Sequence, residues 1–578
     1  MHVMKEEVRI GILLAVFVVA VIAVSAVFLQ IGSLGSGYPI DTPVYTTAER
    51  TILAVPVPPG SPVLRLDQVR NFASCGYGAW QFGEGQGYEQ RLDLMPEGYA
   101  GTPKTPAATL VHFFAITDVH ITDKESPGQV IYYGSGLGMI SGYSPAMLFT
   151  THVLDAAVQT VNALHKEKPF DFGIFLGDAI NCGQYNELRW YIDVLDGKTV
   201  RPDSGVMDDP IPGPLNDYQD PYQAAGLDRT IPWYQVIGNH DHLWMGMFVP
   251  DEYIRQNLTG SAILNLGNVL TDPLRLKSRG FFMGAIDGRT PDGTIIGAGP
   301  VQDFPSGAPT VPSDPNRRFL SRTAWIGEFT ASSSAPAGHG FSPSAANTGF
   351  ACYSFEPDPG VPVKVIVLDD TMTDETMPGG YSSGYGSLDQ ERYDWLVSEL
   401  DSGQADGKLM VIAAHIPIGV DLPEAGLGSL MTWDRYAAVS EPDLIARLHT
   451  YPNLILWIAG HRHGNTITAF KSPDPARPEL GFWEVETASL RDFPQQFRTF
   501  EIVRNSDNTV SVFATTIDPS VREGSPAALS RSYAIAAYQV FIFPEAIPPA
   551  GSYNAELVIP LSPEMQEKIA ASMPPAGR

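Results

Sequence analysis

The chain has 578 residues, of which 44% are apolar and 17% charged, and it carries a net charge of −27 with a pI near 4.7. That length is ample for a large core, as two to four domains or one elaborated domain. The acidic balance argues against a groove for nucleic-acid phosphates but leaves room for a small anionic substrate, because a metal ion can reverse the local field. Three cysteines, Cys75, Cys182 and Cys352, exclude a disulfide framework and a thiolate zinc site, and allow a single bridge of undetermined pairing.

Residues 1–9 form a short tail. The uncharged run Ile10–Leu29, IGILLAVFVVAVIAVSAVFL, matches a membrane-spanning helix in length and exceeds a usual signal-peptide core. Residues 10–31 therefore read as a transmembrane anchor, the alternative being a signal cleaved near Val24-Ser25-Ala26. Either way the remainder is expected outside the cytoplasm, membrane-anchored or secreted. Residues 32–107 read as an exported extension that starts with a flexible tether. It includes the aromatic, glycine-rich stretch CGYGAWQFGEGQGYEQRLDL (75–94), suited to cover an edge of the core or to line a pocket.

Five apolar runs then end in polar, metal-competent residues. VHFFAITDVHITD (111–123) ends in Asp118 and His120, and DFGIFLGDAIN (171–181) ends in Gly177 and Asp178. IPWYQVIGNHDH (231–242) ends in Asn239, His240, Asp241 and His242, KLMVIAAHIP (408–417) in His415, and LILWIAGHRHGNT (454–466) in Gly460, His461 and His463. Continuous apolar runs of this length fit strands covered on both faces. Helical patterns separate them: one opens with Ser144 as cap and Pro145 in its first turn, one runs from Ser387 to Gly403, and EPDLIARLHTYPN precedes the last strand. This alternation predicts a largely parallel α/β core, in which ligands gather at the carboxyl ends of strands. Six of the 12 histidines sit at those ends, so they are expected to converge. Imidazoles, carboxylates and one amide without a thiolate suit manganese, zinc, iron or cobalt.

In that order the motifs DVH, GD, GNHD, H and GHRH resemble those of the calcineurin-like metallophosphoesterase superfamily, over roughly residues 108–516. The resemblance implies a four-layer α-β-β-α sandwich around two metal ions. It implies that Asp118, His120 and His463 hold the first ion, that Asp178 bridges, and that Asn239, His415 and His461 complete the second. His240 would approach the leaving group or a phosphate oxygen as acid or electrostatic partner, with Asp241 orienting it. His461 and His463, alternating along an extended segment, would serve one ion each, with Gly460 giving the chain room to turn. The implied reaction is hydrolysis of a small phosphomonoester or phosphodiester by a metal-bridging hydroxide. Purple acid phosphatases carry a tyrosine where this chain has Asn181 and lack a histidine at the place of His120, so a tyrosinate-bound iron is not expected. A non-catalytic surface binding protein and a metal-dependent nuclease are the rival readings. All seven ligand positions are filled, against the first, and the acidic balance counts against the second.

The Gly/Pro/Ser-rich stretch at about 270–360 reads as an insertion, either a substrate-shaping cap or a passive one, with Arg317, Arg318 and Arg322 as its candidates for phosphate contact or for plain surface solvation. GFWEVETASL, FRTFEIV and TVSVFATTI read as closing strands, with RDFPQQ as a connection. Residues 517–578 read as an extension of helix, short strand and terminal helix that packs on the core. His112, His152 and Cys182 are expected to be structural. The sequence leaves the oligomeric state open.

Overall fold

The computed structural model describes residues 37–101, 104–136, 142–267, 278–372, 384–419, 433, 437–541 and 553–571. The run Ile10–Leu29, and with it the anchor, lies outside the described residues, among which no helix is long and apolar enough to cross a membrane.

In chain order the central strands are β1 (Glu89–Arg91), β2 (Pro106–Ile116), β3 (Phe172–Phe175), β4 (Trp233–Gln235), β5 (Tyr353–Phe355), β6 (Val363–Val367), β7 (Leu409–Ala413), β8 (Leu454–Ala459), β9 (Thr466–Phe470), β10 (Phe482–Glu486), β11 (Phe497–Asn505), β12 (Val510–Ile517) and β13 (Ala555–Ile559). They form a seven-stranded sheet, β1-β13-β12-β11-β2-β3-β4, and a six-stranded sheet, β5-β6-β7-β8-β10-β9. The strands that precede the candidate ligands are parallel as expected: β2, β3 and β4 in one sheet, and β7 and β8, flanked by parallel β6 and β10, in the other. The first sheet departs from expectation on its other half, where β2, β11, β12 and β13 pair antiparallel. The turn between β11 and β12 closes through Asn505 and Thr509, too short for a parallel crossover.

Alternation along β2 sets the layers. Phe113 and Ala115 face the second sheet, packing with Val365, Val411 and Leu456. Phe114 and Ile116 face the opposite way, onto Val153, Leu154 and Val158 of helix α1 (Thr150–Glu167) and the neighbouring α2 (Tyr185–Leu195). On the far side, Ile366, Met410, Ile412 and Trp457 of the second sheet meet Leu396 and Leu400 of α3 (Gln390–Ala405) and Leu444 and Leu448 of α4 (Glu441–Leu448). Helix, sheet, sheet and helix thus stack in four layers, each such side chain contributing about 1.5–3 kcal/mol by leaving water.

Local signals shift by a residue or two where packing decides. Ser144 caps the turn Pro145–Phe149 that leads into α1. In α3 the cap is Asp389, not Ser387, and the helix runs past Gly403, where a Cβ would lie 2.4 Å from Met410 Sδ. That glycine answers a close packing contact and not a helix end. The tail supplies β13, a strand inside the first sheet that pairs with β1 of the N-terminal segment. The insertion also joins the core: Trp325, Ile326, Phe329 and Phe341 pack with α1 and α2. Arg317 is fully buried against Asp123 at 3.0 Å and Arg322 pairs with Asp369, so neither is a solvated surface arginine, whereas Arg318 is exposed as the surface reading expects, its guanidinium lying over the Tyr185 ring. All three cysteines are free thiols.

Candidate metal centre

The five strand ends meet where the carboxyl edges of the two sheets abut. Asp118, Asp178 and Asn239 follow β2, β3 and β4, while His415 and His461 follow β7 and β8. Hydrogen bonds cross between the sheets here: the His461 N–H donates to Asp118 Oδ2 at 2.9 Å, and His415 Nδ1 donates to the Leu176 carbonyl at 2.8 Å.

The backbone explains how neighbouring side chains aim at one point. Asp118, His120, Asp178, His461 and His463 all have positive φ, between 47° and 71°. Left-handed backbone at non-glycine residues costs about 1–3 kcal/mol each and persists only where the surroundings over-determine it. His461 and His463 therefore diverge from a left-handed turn, not from an extended segment. Gly460 has a different task from the one its sequence suggests, because its φ is not positive. A Cβ there would lie 2.0 Å from Thr117 Oγ1 and 2.5 Å from Asp118 Oδ2, so it clears space for the first aspartate.

Two triads result. In one, Asp118 Oδ1 lies 3.3 Å from His463 Nε2 and 3.7 Å from His120 Nε2. In the other, Asp178, His415 and His461 bring ligand atoms within 4.8 Å of one another, with Asn239 Oδ1 2.9 Å from His415 Nε2. Asp178 Oδ2 stands between the triads, 3.6 Å from His120 Nε2 and 3.3 Å from His415 Nε2. His240 also falls within this cluster, grouped with His120 and Asp178. His240 and His463 are half-buried and the other candidate residues are buried, so the centre opens on their side.

The donor set fits cations. Asp118 Oδ1 and His461 Nε2 are buried without a hydrogen-bond partner among the described residues, and His120 Nε2 faces His463 Nε2 at 3.2 Å, an approach of two imidazole nitrogens that a shared positive ion would satisfy. Burial opposes charge on His415 and His463, yet the Asp178 and Asp118 carboxylates outweigh it and hold each ring up at about 10. Burial pushes His461 down to about 3 and His240 down to about 4.

One expected role changes. Asp241 does not touch the His240 ring: its carboxylate accepts the N–H groups of Gly238 at 2.8 Å and Ile180 at 3.3 Å and so fixes the GNHD turn. The ring of His240 is instead held by the main-chain carbonyl of Asn181, 2.7 Å from Nδ1. A carbonyl partner requires the proton on Nδ1, which leaves Nε2 with its lone pair when the ring is neutral. His242 bonds Thr371 and Arg322 behind the centre, and His112 stacks on Phe170.

The sequence also passed over the loop after β10. Ser489 donates to the Asp118 carbonyl at 2.7 Å, and Asp492 Oδ2 accepts from His463 Nδ1 at 2.7 Å. Nothing in their spacing marks these residues, though a carboxylate soon after a core strand was the available hint.

No protein-family model and no curated protein matches this chain. Among solved structures it is similar to a dimetal phosphatase from Danio rerio, at 12% identity and a TM-score of 0.35, covering 72% of this chain and 100% of that one. It is also similar to GAP50, the anchor in the inner membrane complex of Plasmodium, at 12% identity and a TM-score of 0.29, covering 81% of this chain and 96% of that one.

Proposed function

We propose that this chain is a binuclear-metal phosphoesterase that hydrolyses a small phosphomonoester or phosphodiester. The observation that carries the reading is the Asp178 carboxylate, set between a triad of Asp118, His120 and His463 and a group of Asn239, His415 and His461. Two cations bound there would acidify a water and offset the negative charge that builds on the phosphoryl group. The protein's own groups supply the rest. Asp118 keeps Oδ1 for ligation because Oδ2 is committed to Thr117 and the His461 N–H. Asp178 likewise keeps Oδ2, its Oδ1 accepting the His240 N–H at 2.8 Å. His240, on the open side with Nδ1 held by the Asn181 carbonyl, would approach the leaving group or a phosphate oxygen through Nε2 as acid or electrostatic partner. The run Ile10–Leu29 would place the centre outside the cytoplasm.

Metal analysis of the purified chain combined with a panel of mono- and diesters tests the reading. Two equivalents of manganese, zinc, iron or cobalt and saturable hydrolysis are expected, with Asp178→Asn losing both. Cation binding without turnover of any ester would leave a binding protein instead.

A further inference from the structure

Arg491 sits in the loop after β10 and is 2% exposed, yet it has no carboxylate within 4 Å among the described residues. Its Nη1 donates to Asn181 Oδ1 at 3.0 Å, and its Nε has no partner. Burying a guanidinium with so little compensation is costly, so fold stability alone does not account for it.

Its one side-chain partner is informative. Asn181 donates from Nδ2 to Gln129 Oε1 at 2.8 Å, and Gln129 is in turn held by the Asp123 carbonyl at 3.0 Å. The Asn181 amide therefore has its oxygen fixed by Arg491 and its nitrogen fixed by Gln129, which removes the freedom to flip. The main-chain carbonyl of this pinned residue is the group that holds His240 Nδ1. Arg491 is itself fixed at its backbone, where its N–H donates to Ser489 Oγ at 2.9 Å, the hydroxyl that also holds the Asp118 carbonyl.

We propose that Arg491 is a positioning residue of the centre, which through Asn181 sets the ring orientation and the proton position of His240. The inference rests on the phosphoesterase reading for its consequence in catalysis, but not for its structural content. Without Arg491 the Asn181 amide keeps only its bond to Gln129 Oε1, the residue that carries the carbonyl is held less firmly, and the His240 ring can exchange its two neutral tautomers.

The test is a double-mutant cycle on the metal-loaded full chain. Arg491→Gln is expected to lower kcat at least about tenfold with KM changed less than about twofold, and Arg491→Lys, which keeps a donor for Asn181, to recover part of the loss. In a His240→Ala background the same Arg491→Gln change is expected to cost less than about twofold. Nitrogen-15 spectra of histidine-labelled protein, with His240 assigned by its substitution, are expected to show a protonated Nδ1 in the parent chain and a tautomer mixture in Arg491→Gln. Equal losses of kcat in both backgrounds, or an unchanged His240 spectrum, would overturn the proposal. A parent chain that turns over no ester would sink the phosphoesterase reading, and the histidine spectrum would still decide the role of Arg491.

Discussion

Replacing Gly460 by alanine puts a methyl group where the first triad already stands. The added carbon would lie 2.0 Å from Thr117 Oγ1 and 2.5 Å from Asp118 Oδ2 against the 3.4 Å at which ordinary contact begins, so room of about 1.4 Å must be found at Thr117 and about 0.9 Å at Asp118. Metal–ligand distances tolerate only about 0.2 Å, and the same displacement stretches the 2.9 Å bond from the His461 N–H to Asp118. Overpacking of this kind costs about 1–3 kcal/mol, which is about 5- to 150-fold in the affinity of a cation held by Asp118, His120 and His463. The second position, built from Asp178, Asn239, His415 and His461, is expected to change little. Titration calorimetry with manganese should therefore resolve one weakened equivalent and one near the parent affinity, with the circular dichroism spectrum unchanged. Gly464→Ala is the control, since its only neighbour within 4 Å among the described residues would be the Arg462 carbonyl at 3.9 Å. Two equivalents bound by Gly460→Ala as tightly as by the parent would refute the assignment of Asp118 as a ligand.

Other consequences can be measured on the same protein. Asp492→Asn keeps the shape but removes the charge that orients His463, so cation affinity should fall about 10- to 100-fold, read by competition with a chelator. Trp325→Ala removes a fully buried ring from the insertion, and a loss of about 3–5 kcal/mol in denaturant unfolding is expected if that segment is part of the core; a loss under about 1 kcal/mol would show it to be peripheral. His152 and His339, away from the centre, are held neutral chiefly by burial, down to about 3 and about 4. Both lie below the unfolded value of about 6.5, so the unfolded chain binds more protons in between. Their contribution is fully present above about pH 6.5 and lost as pH falls toward 4, at up to about 2.7 kcal/mol per pH unit for the two together. Urea midpoints that stay level from pH 7 to 4.5 would contradict this.

The two halves of the centre were unequally legible. Each candidate ligand closely follows an apolar run, so the order of motifs along the chain marked out Asp118, His120, Asp178, Asn239, His415, His461 and His463, which the structure brings together at the sheet ends. The helices α1 and α4 were equally plain, because capping and apolar periodicity are local. What the sequence alone determined is therefore which residues stand at strand ends and what chemistry they offer together. The tertiary structure decided how they are held. Arg491 and Asn181 are 310 positions apart, and Asp118 takes its hydrogen bond from a residue 343 positions away, separations for which no period or propensity exists. It also decided against Asp241 as the support of His240, since only the folded GNHD turn shows its carboxylate bound to Gly238 and Ile180. The tail strand β13 entered the first sheet for a similar reason: a short apolar segment carries its own pattern but not the identity of the strand it pairs with. Local order writes itself into neighbouring residues, whereas contacts closed by the whole chain leave no mark until the chain has folded.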